Sequence, residues 1–479
     1  MALDLPTILL LGGAALVYAA VLPSSWRPWA LLVGSVLAVY WLQPPLPLRY
    51  SGYVLPTATL TLTVLTWYAT RPSSEGTTRQ DTYTLIMIVF LVAGMSLMRF
   101  VPAGYRLTST QTPHPFSVLL ALLPIALMVW AVGRLPQRLA LTLLVFLIAG
   151  LFVTLKAEPL ATDLSRGWRG LAGQDITLAG VADLGWLGFS YVAFRLLHTV
   201  RDRQTGLLPN LSLREYVTYV IFFPALTAGP IERAERFAEN FRQLPDQSRL
   251  DAGRFTAGWT RILIGLFKKF ILADLLAQGL SLNAANASQV QAAGWLWLLL
   301  YGYGLRLYFD FGGYTDVAIG LGTLFGIELP ENFKRPYLRP NITAFWQSWH
   351  ITLSNWARFY VFTPLSRALL RRRPAPSPTL VVLLAHLATM TVIGLWHGVT
   401  VNFLVWGLWH GLALFVHKQW SDRTRRWYHR LQERPRLRRA WAVTGWLLTF
   451  HYVLLGWVWF ALPTPDLAGQ TLFQLMGVE

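Results

Sequence analysis

The sequence predicts an all-α, multi-pass integral membrane protein. Of its 479 residues, 54% are hydrophobic and 13% are charged, whereas about 25% are charged in an average soluble protein. Several apolar runs approach the roughly 20 residues that a helix needs to cross a bilayer, among them residues 5–22, 83–98, 118–132 and 139–155. Short strands of alternating polarity form no regular series in the sequence, so helices are the expected spanning elements.

The net charge of +18 is spread between hydrophobic spans and does not follow one face of a soluble domain. This distribution argues against a nucleic-acid partner and predicts membrane topology, because basic residues concentrate in cytoplasmic loops. The candidate cytoplasmic loops are residues 134–138, 195–203, 367–373 and 418–439. The last of them is either a solvated loop or a segment that lies on anionic lipid head groups.

The sequence lacks several residue types and motifs, and this limits the kinds of reaction and metal site that we expect. The sequence has no cysteine, so disulfides, thiolate metal sites and a cysteine-bound acyl intermediate are excluded. It also lacks the HExxH metal motif and the GxSxG motif of a serine nucleophile. No compact cluster of carboxylates and histidines is visible in the sequence, so we expect no metal site and no tightly bound cofactor.

The chain divides into four predicted segments. Residues 1–156 consist of about six apolar helices separated by short Pro, Gly or Ser breaks. Residues 157–183 form a polar connecting segment, and residues 184–461 mix polar and apolar residues. The remaining residues, 462–479, form a C-terminal tail. We expect the functional residues in the segment 184–461.

Two stretches of that segment predict irregular helices. Residues 185–191 are interrupted by glycines, and residues 222–230 end in Gly-Pro. Short, interrupted or re-entrant helices are tolerated at membrane depth only where protein or a water-filled cavity surrounds them. The sequence therefore predicts a cavity within the membrane.

Charged residues enter the apolar part of the chain at two places. Lys268 and Lys269 interrupt an apolar run, where they either snorkel to an interface or face the cavity and attract an anionic donor. Asp310 and Asp316 flank a Gly-Gly pair. On one continuous helix their carboxylates would point apart, whereas a break at the glycines would re-aim either carboxylate.

The stretch FWQSWHITLSNW, residues 345–356, places a histidine among tryptophans. A single helix would put Trp346, Trp349, His350 and Leu353 on one face. A packed histidine with a satisfied hydrogen bond would explain His350 taken alone. The case for function is the crowding of polar side chains into a chain that elsewhere avoids them, at Gln347, Ser348, Thr352, Ser354, Asn355 and Arg358.

The pentapeptide GLWHG occurs twice and contributes His397 and His410. The two histidines are 13 residues apart, so on an unbroken helix they would point to nearly opposite sides. We favour His397, because it follows the long apolar run 379–396 and precedes an expected break at residues 398–402. Packing or an interhelical hydrogen bond is the expected role of His410, and the same structural role is expected for His198, His386 and His451.

A buried, uncharged histidine can act as a general base on a hydroxyl group. Desolvation lowers the pKa of a histidine and keeps it unprotonated at pH 7, the form that such a base requires. The alternative to an enzyme is a transporter in which the histidines relay protons. Transporters of this kind are expected to contain an internal repeat, and the sequence shows none beyond GLWHG. A catalytically silent scaffold in the membrane is the third possibility.

Seven motifs together resemble the membrane-bound O-acyltransferase superfamily, in particular its bacterial branch that includes the alginate O-acetyltransferase membrane subunit and the teichoic acid D-alanyl transferase. They cover residues 184–461 and are GFSYVAFRLLHTVRD, FFPALTAGPIERAERF, GLFKKFILAD, YFDFGGYTDVAIGLGTLFGIELPENFKRPYL, ITAFWQSWHITLSNW, GLWHG and TFHYVLLGWVWF. The sequence departs from the family at residues 357–360, where Ala-Arg-Phe-Tyr replaces the usual Phe-Arg-Asp-Tyr, and the helices before residue 156 do not align with the family's opening.

The resemblance implies a fold, a reaction and a site. The fold would be a ring of irregular and re-entrant helices around a funnel or tunnel in the bacterial cytoplasmic membrane. A cytoplasmic donor, acetyl-CoA or an acyl-carrier-protein thioester, would supply a short acyl group to a hydroxyl of an exported glycan or to an extracytoplasmic partner protein that delivers it. The family's signature histidines fall on His350 and His397, and His397 matches the catalytic one. Residues expected to shape the tunnel or bind substrate are Trp346, Trp349, Ser354, Asn355, Arg358, Asp310, Tyr314 and Asp316.

Overall fold

The computed structural model of the chain describes residues 4–72, 76–431 and 433–478. Within these residues all regular structure is helical and no strand occurs, which confirms the predicted all-α class. Five helices are long and apolar enough to cross a membrane, namely Arg79–Phe100, Pro115–Arg134, Gln137–Lys156, Pro378–His397 and Pro435–Ala461. The protein is therefore a multi-pass membrane protein.

The chain forms two compact units. The first comprises Met1–Ile262 and Val317–Pro330, and the second comprises Leu263–Asp316 and Glu331–Glu479. The boundary expected near residue 156 lies inside the first unit. The histidines of the two signature motifs, His350 and His397, belong to the second unit.

The first unit opens with six helices before residue 157, the number that the sequence predicts. Its helices are α1 (Leu5–Ala20), α2 (Arg27–Trp41), α3 (Ser51–Thr70), α4 (Arg79–Ser96), α5 (Pro115–Arg134), α6 (Gln137–Lys156), α7 (Glu158–Leu171), α8 (Phe189–Thr205), α9 (Leu213–Val220), α10 (Ala234–Gln243) and most of α11 (Ala252–Leu266).

Helix α3 is buried although it is rich in threonine. The hydroxyls of Thr59, Thr63, Thr66 and Thr70 donate to carbonyl oxygens four residues earlier, so they have partners inside the helix.

The glycine-rich and Gly-Pro stretches of this unit interrupt its helices: residues 185–188 are non-helical, and residues 222–230 contain only the short 3-10 helix Phe223–Ala225. Helix α8 follows Gly188, which has a φ of 74°, and α9 has eight residues. Beyond α9 the backbone needs side-chain partners for its carbonyl groups. The buried Arg195 supplies them by donating to the carbonyl oxygens of Val220 at 2.9 Å and Ala225 at 2.7 Å.

The second unit combines helices of four to 11 residues with helices of 20 residues or more, and it contains two π-helical segments, Phe267–Ala273 and Arg358–Phe362. Its helices are α12 (Asp274–Ala277), α13 (Ala284–Gln289), α14 (Ala293–Leu324, as far as Asp316), α15 (Ile342–Trp346), α16 (Ile351–Ala357), α17 (Thr363–Leu370), α18 (Pro378–His397), α19 (Val401–Leu431), α20 (Pro435–Ala461) and α21 (Pro465–Leu475).

Helix α14 continues through Gly312 and Gly313 without a break. The glycines serve close packing instead: a Cβ atom on Gly313 would lie 2.7 Å from the carbonyl oxygen of Gly265 and 2.8 Å from the amide nitrogen of Lys269. The suggestion that the Gly-Gly pair re-aims a carboxylate is therefore wrong. A missing side chain allows two backbones to touch as readily as it allows a bend.

Helices α18 and α19 form a tightly packed antiparallel pair. A Cβ atom on Gly394 would lie 2.2 Å from the carbonyl oxygen of Phe403, and one on Gly407 would lie 2.5 Å from that of Met390. Small residues at such positions let membrane helices approach closely. The glycines of the repeated GLWHG motif therefore hold together the two helices that carry its histidines.

Candidate active site

His397 is the last residue of α18. Gly398 after it is extended, and α19 begins at Val401, which confirms the predicted break. The imidazole lies among aromatic rings, with centroid distances of 4.4 Å to Trp396, 5.6 Å to Trp406 and 4.7 Å to Phe460. It is half-buried, and the residues that follow it, Val399 and Thr400, are exposed. The end of α18 thus combines an apolar surround with access from outside.

His350 lies between two short helices and not within one. Its backbone is left-handed, with φ 43° and ψ 55°, which is uncommon for a residue other than glycine and carries a conformational cost. The prediction of one helical face shared by Trp346, Trp349 and His350 is therefore wrong, because the chain turns at His350 and sends these side chains to different neighbours.

Asn332 explains this turn. Its carbonyl oxygen accepts from the amide of Ile351 at 2.9 Å. Its side-chain oxygen accepts from the amide of Thr352 at 3.2 Å and from the Thr352 hydroxyl at 2.6 Å. These bonds satisfy donors in the first turn of α16 that a helix leaves unpaired. Asn332 thus performs the work of an N-cap from a distant part of the sequence and holds His350 in place.

The His350 imidazole is shielded from solvent. The residue is 2% exposed, and its ring lies edge-on to Phe311 at 4.7 Å and to Trp396 at 5.9 Å. Within the described part of the chain, neither ring nitrogen has a hydrogen-bond partner. Burial lowers the pKa of His350 to about 3, so the ring is uncharged at neutral pH, as the sequence predicts for a buried histidine.

One indole ring contacts both signature histidines. Trp396 lies 5.9 Å from His350 and 4.4 Å from His397 between ring centroids, so the two motifs, more than forty residues apart in sequence, converge in one aromatic cluster. We define this cluster by the residues His350, Trp396, His397, Trp406, His410, Trp346, Phe311 and Phe460.

His410 joins the cluster through Trp406 and Trp346. Its ring lies 5.0 Å from Trp406 and 5.2 Å from Trp346, and the residue is fully buried. The sequence argument that His397 and His410 point to opposite sides assumed an unbroken helix, and it fails because the chain reverses after His397. A packing role for His410 agrees with these contacts, whereas an interhelical hydrogen bond does not, since neither nitrogen has a partner among the described residues.

Four other predicted tunnel residues follow or precede His350 in the chain, and they differ in their contacts and exposure. Trp349 stacks on Phe345 at 5.6 Å and also contacts Trp457, while the hydroxyl of Ser354 donates to the Trp349 carbonyl oxygen. Asn355 and Arg358 are exposed. Their assignment to substrate binding stays a prediction.

The acidic residues of α14 pair with the two adjacent lysines. Lys268 lies 2.6 Å from Asp316, and Lys269 lies 2.5 Å from Asp310. Tyr314, between the two acids, is buried. The lysines therefore have carboxylate partners inside the protein, which agrees with the structural alternative for them better than with capture of an anionic donor. Phe311, on the same helix, contacts His350, so α14 contributes to the aromatic cluster as well as to the two ion pairs.

Removing one partner of the Lys268–Asp316 pair should destabilise the protein. The Asp316 side chain is 6% exposed and that of Lys268 is 26% exposed, so Asp316→Ala leaves a poorly solvated ammonium group and should cost about 3 kcal/mol in the free energy of unfolding. The double variant Lys268→Met/Asp316→Leu should recover most of that loss. Unfolding in detergent measures both, with Asp274→Ala as control, because Asp274 is more exposed and Lys269 keeps Asp310. Equal stability of Asp316→Ala and the wild type would contradict this role.

Asn332→Ala should impair the site through His350. The substitution removes the side-chain oxygen to which the amide and hydroxyl of Thr352 donate, at a cost of about 1–3 kcal/mol, and weakens the support of the left-handed turn. We expect turnover to fall more than it does in Thr352→Val, which removes only the hydroxyl bond. Turnover and thermal midpoint measured together test this, and an Asn332→Ala variant with wild-type turnover would exclude Asn332 as a positioning residue.

The first unit contains a cluster that the sequence analysis missed. One ligand atom each from His198, Asp202 and Glu235 lies within 4.8 Å of the others, a geometry that could hold a metal ion. Arg233 reaches both carboxylates, with contacts of 3.3 Å to Asp202 and 2.5 Å to Glu235. A guanidinium group thus supplies the positive charge that a metal would bring. The i, i+4 spacing of His198 and Asp202 was a visible signal, but Glu235 comes from a separate helix.

These observations define a helical, multi-pass membrane protein whose two histidine motifs meet in a buried aromatic cluster. The chain belongs to the MBOAT, or membrane-bound O-acyltransferase, family, whose sequence profile matches residues 54–455. This match extends well into the first unit, beyond the region in which the motifs were recognised.

Individual relatives match between 55% and 59% of the chain. It is 34% identical over 268 residues to a peptidoglycan O-acetyltransferase from Helicobacter pylori, covering 55% of this chain and 47% of that protein. It is 35% identical over 285 residues to a probable alginate O-acetylase from Pseudomonas syringae, covering 59% and 50%. It is 30% identical over 288 residues to a teichoic acid D-alanyltransferase from Streptococcus thermophilus, covering 58% and 68%. The match thus spans about half the length of the first two relatives.

Proposed function

We propose that the protein is a membrane-bound O-acyltransferase that transfers a short acyl group, most simply acetyl, to a hydroxyl of a cell-envelope glycan. The observation that carries this proposal is that His350 and His397, from two separate motifs, both contact the ring of Trp396. Of the two, His397 is half-buried at a helix end, whereas His350 is enclosed. This arrangement provides one histidine that substrates can reach and a second that supports it.

In the proposed reaction, His397 is the general base. Its neutral imidazole takes the proton from the attacking hydroxyl, whose oxygen forms a bond to the thioester carbonyl carbon. The tetrahedral intermediate collapses by breaking the carbon–sulfur bond. The imidazolium returns the proton to the departing thiolate, so the products are an ester and a free thiol. General acid–base catalysis of this kind contributes about 10²–10⁴ in rate.

His350 has a supporting role in this proposal. Its ring nitrogens lack partners within the described residues, so the N–H of the neutral ring can donate to the thioester carbonyl or to the charged intermediate when substrate binding opens the packing around this enclosed side chain. A polar group held in a dry site stabilises developing charge more strongly than it would in water. The strained backbone at His350 fixes the direction of the ring, and rigid placement is what such stabilisation requires.

The donor and acceptor follow from chemistry and from the names of the relatives. A thioester, as acetyl-CoA or on a carrier protein, is an activated acyl group that needs no resident cofactor. The relatives are named for peptidoglycan, alginate and teichoic acid, all of them polymers of the bacterial envelope. We accordingly place the protein in the bacterial cytoplasmic membrane, with an exported glycan or an extracytoplasmic acyltransferase partner as the acceptor.

Mass spectrometry of envelope glycans tests the proposal. Cells that contain the protein should carry an ester on one class of glycan, and a deletion strain should lack it. Complementation with the wild-type gene should restore the ester. Identical glycan spectra from all strains would contradict the assignment, and ion-coupled solute uptake by the purified protein without acyl turnover would favour the transporter alternative.

The proposed topology places residues 418–439 in the cytoplasm. The chain has no cysteine, so a single introduced thiol reports its own side of the membrane. We expect Ser421→Cys, which is exposed near the end of α19, to react with a membrane-impermeant maleimide only in inverted vesicles. Asp466→Cys, exposed beyond the opposite end of α20, should react in spheroplasts. Labelling of Ser421→Cys in intact spheroplasts would reverse the orientation.

A further inference from the structure

A long apolar groove runs along the first unit between α3, α5 and α6. It has a volume of about 510 Å³ and is lined by residues such as Val54, Leu62, Ala121, Ile125 and Leu151. This size falls within the 300–1,000 Å³ of ordinary ligand sites. None of the histidines of the aromatic cluster lines it.

The groove has a polar mouth at one end. A second cavity of about 330 Å³ is lined by Phe152, Lys156, Gly185 and Ser190, and Trp186 lines both cavities. The indole nitrogen of Trp186 donates to the Thr59 hydroxyl at 2.9 Å, which fixes the ring at the junction. The two cavities therefore adjoin at Trp186, the larger with apolar walls and the smaller with the charged Lys156 in its lining.

Lys156 gives this entrance its charge. It is the last residue of α6 and is half-buried. In the described parts of the chain it has no hydrogen bond and no ion pair, in contrast to Lys268 and Lys269, which are both paired with aspartates. A partly buried ammonium group that faces a cavity without a protein partner favours an anionic ligand. The first turn of α8, which includes Ser190, lies at the same entrance and presents its positive dipole end.

The dimensions of the groove match one leaflet of a bilayer. On α3 the lining residues run from Tyr53 to Leu65, which is roughly 18 Å at 1.5 Å per residue. Half of the hydrocarbon core of a bilayer is about 15 Å thick. A single acyl chain that starts at the lipid head groups and ends near the bilayer centre would therefore fill the groove.

We propose that this site binds one anionic glycerophospholipid, with an acyl chain in the groove and the phosphate at Lys156. The apolar walls bury the chain and the ammonium group neutralises the head group. Arg134 and Arg138 lie at the opposite ends of α5 and α6 from this entrance, so the positive-inside rule places the lipid in the extracytoplasmic leaflet.

Native mass spectrometry of the purified full-length protein tests the assignment. The probes are dioleoylphosphatidylglycerol and dioleoylphosphatidylcholine, which share their acyl chains and differ in net charge. We expect the wild type to retain one phosphatidylglycerol at least fivefold more than phosphatidylcholine. Lys156→Ala should abolish that preference, whereas Lys156→Arg should keep it. Arg138→Ala, an exposed basic residue at the other end of α6, is the control and should bind as the wild type does.

A second pair of variants tests the groove itself. Ala121 lines the groove and is exposed, so Ala121→Trp should fill it without disturbing the fold and should reduce retention of phosphatidylglycerol at least fivefold. Leu123→Trp, on the same helix and 67% exposed, changes a residue outside the groove and should leave retention unchanged. Equal loss in Lys156→Ala and Arg138→Ala would overturn the proposal. Retention of a polyprenyl phosphate but no phosphatidylglycerol would also overturn it, because the site would then belong to a different lipid.

Discussion

We expect His397→Ala to reduce acyl transfer by a factor of about 10²–10⁴, the range that a general base contributes. The imidazole is half-buried at the end of α18 and is surrounded by Trp396, Trp406 and Phe460. Alanine there removes the base but leaves the aromatic packing of the cluster. The turnover number of purified protein with labelled acetyl-CoA measures the effect, and the thermal midpoint in detergent should stay close to that of the wild type.

His386→Ala is the matched control for this prediction. His386 lies on the same helix and is half-buried, but its ring contacts Phe362 and its Nδ1 lies 3.0 Å from the Val382 carbonyl oxygen, outside the aromatic cluster. Its loss should change turnover by less than a factor of about three, since it makes no contact with the reacting groups. Similar losses in the two variants would mean that α18 needs its histidines for folding and that His397 has no special role.

His350→Gly should lower turnover by about 10², the loss that follows removal of one stabilising group from a preorganised site. Glycine adopts the left-handed backbone of residue 350 without steric cost, so the variant removes the imidazole and keeps the turn. The effect should appear in the turnover number more than in the Michaelis constant if the ring acts on the intermediate.

His451→Ala is the control for His350→Gly. His451 bonds to Tyr301 at 2.9 Å and is not part of the aromatic cluster, so its removal should have little effect on turnover. The thermal midpoint of both variants reports whether they fold. A His350→Gly protein that folds and transfers acyl groups at the wild-type rate would show that this imidazole is dispensable.

Much of the fold could be predicted because its signals are local. Long apolar runs fix the position of spanning helices such as α5 and α6, and the apolar run before Gly398 predicts that a helix ends at His397. The family resemblance indicated His350 and His397 as the site residues, and in the structure both contact Trp396. That convergence depends on the packing of the second unit, which no spacing within either motif reveals.

The features that sequence analysis missed depend on contacts distant in sequence. The left-handed turn at His350 is held by Asn332, and nothing in the local pattern distinguishes it from a helix. The sequence left open whether the Gly-Gly pair breaks α14; the helix is continuous, and the pair permits close packing against Gly265. The argument about His410 failed because helix periodicity applies only within one helix, and Glu235 joined His198 and Asp202 from another element.

Acyl transfer across a proteoliposome membrane tests the histidine site most directly. Purified protein is reconstituted with radiolabelled acetyl-CoA on the side that carries residues 418–439 and with soluble envelope glycan fragments on the other side. We predict that labelled ester forms on the glycan with the wild-type protein and His386→Ala, and that it falls to background with His397→Ala. Ester formation by His397→Ala at the rate of the wild type, in the same vesicles, would contradict the account.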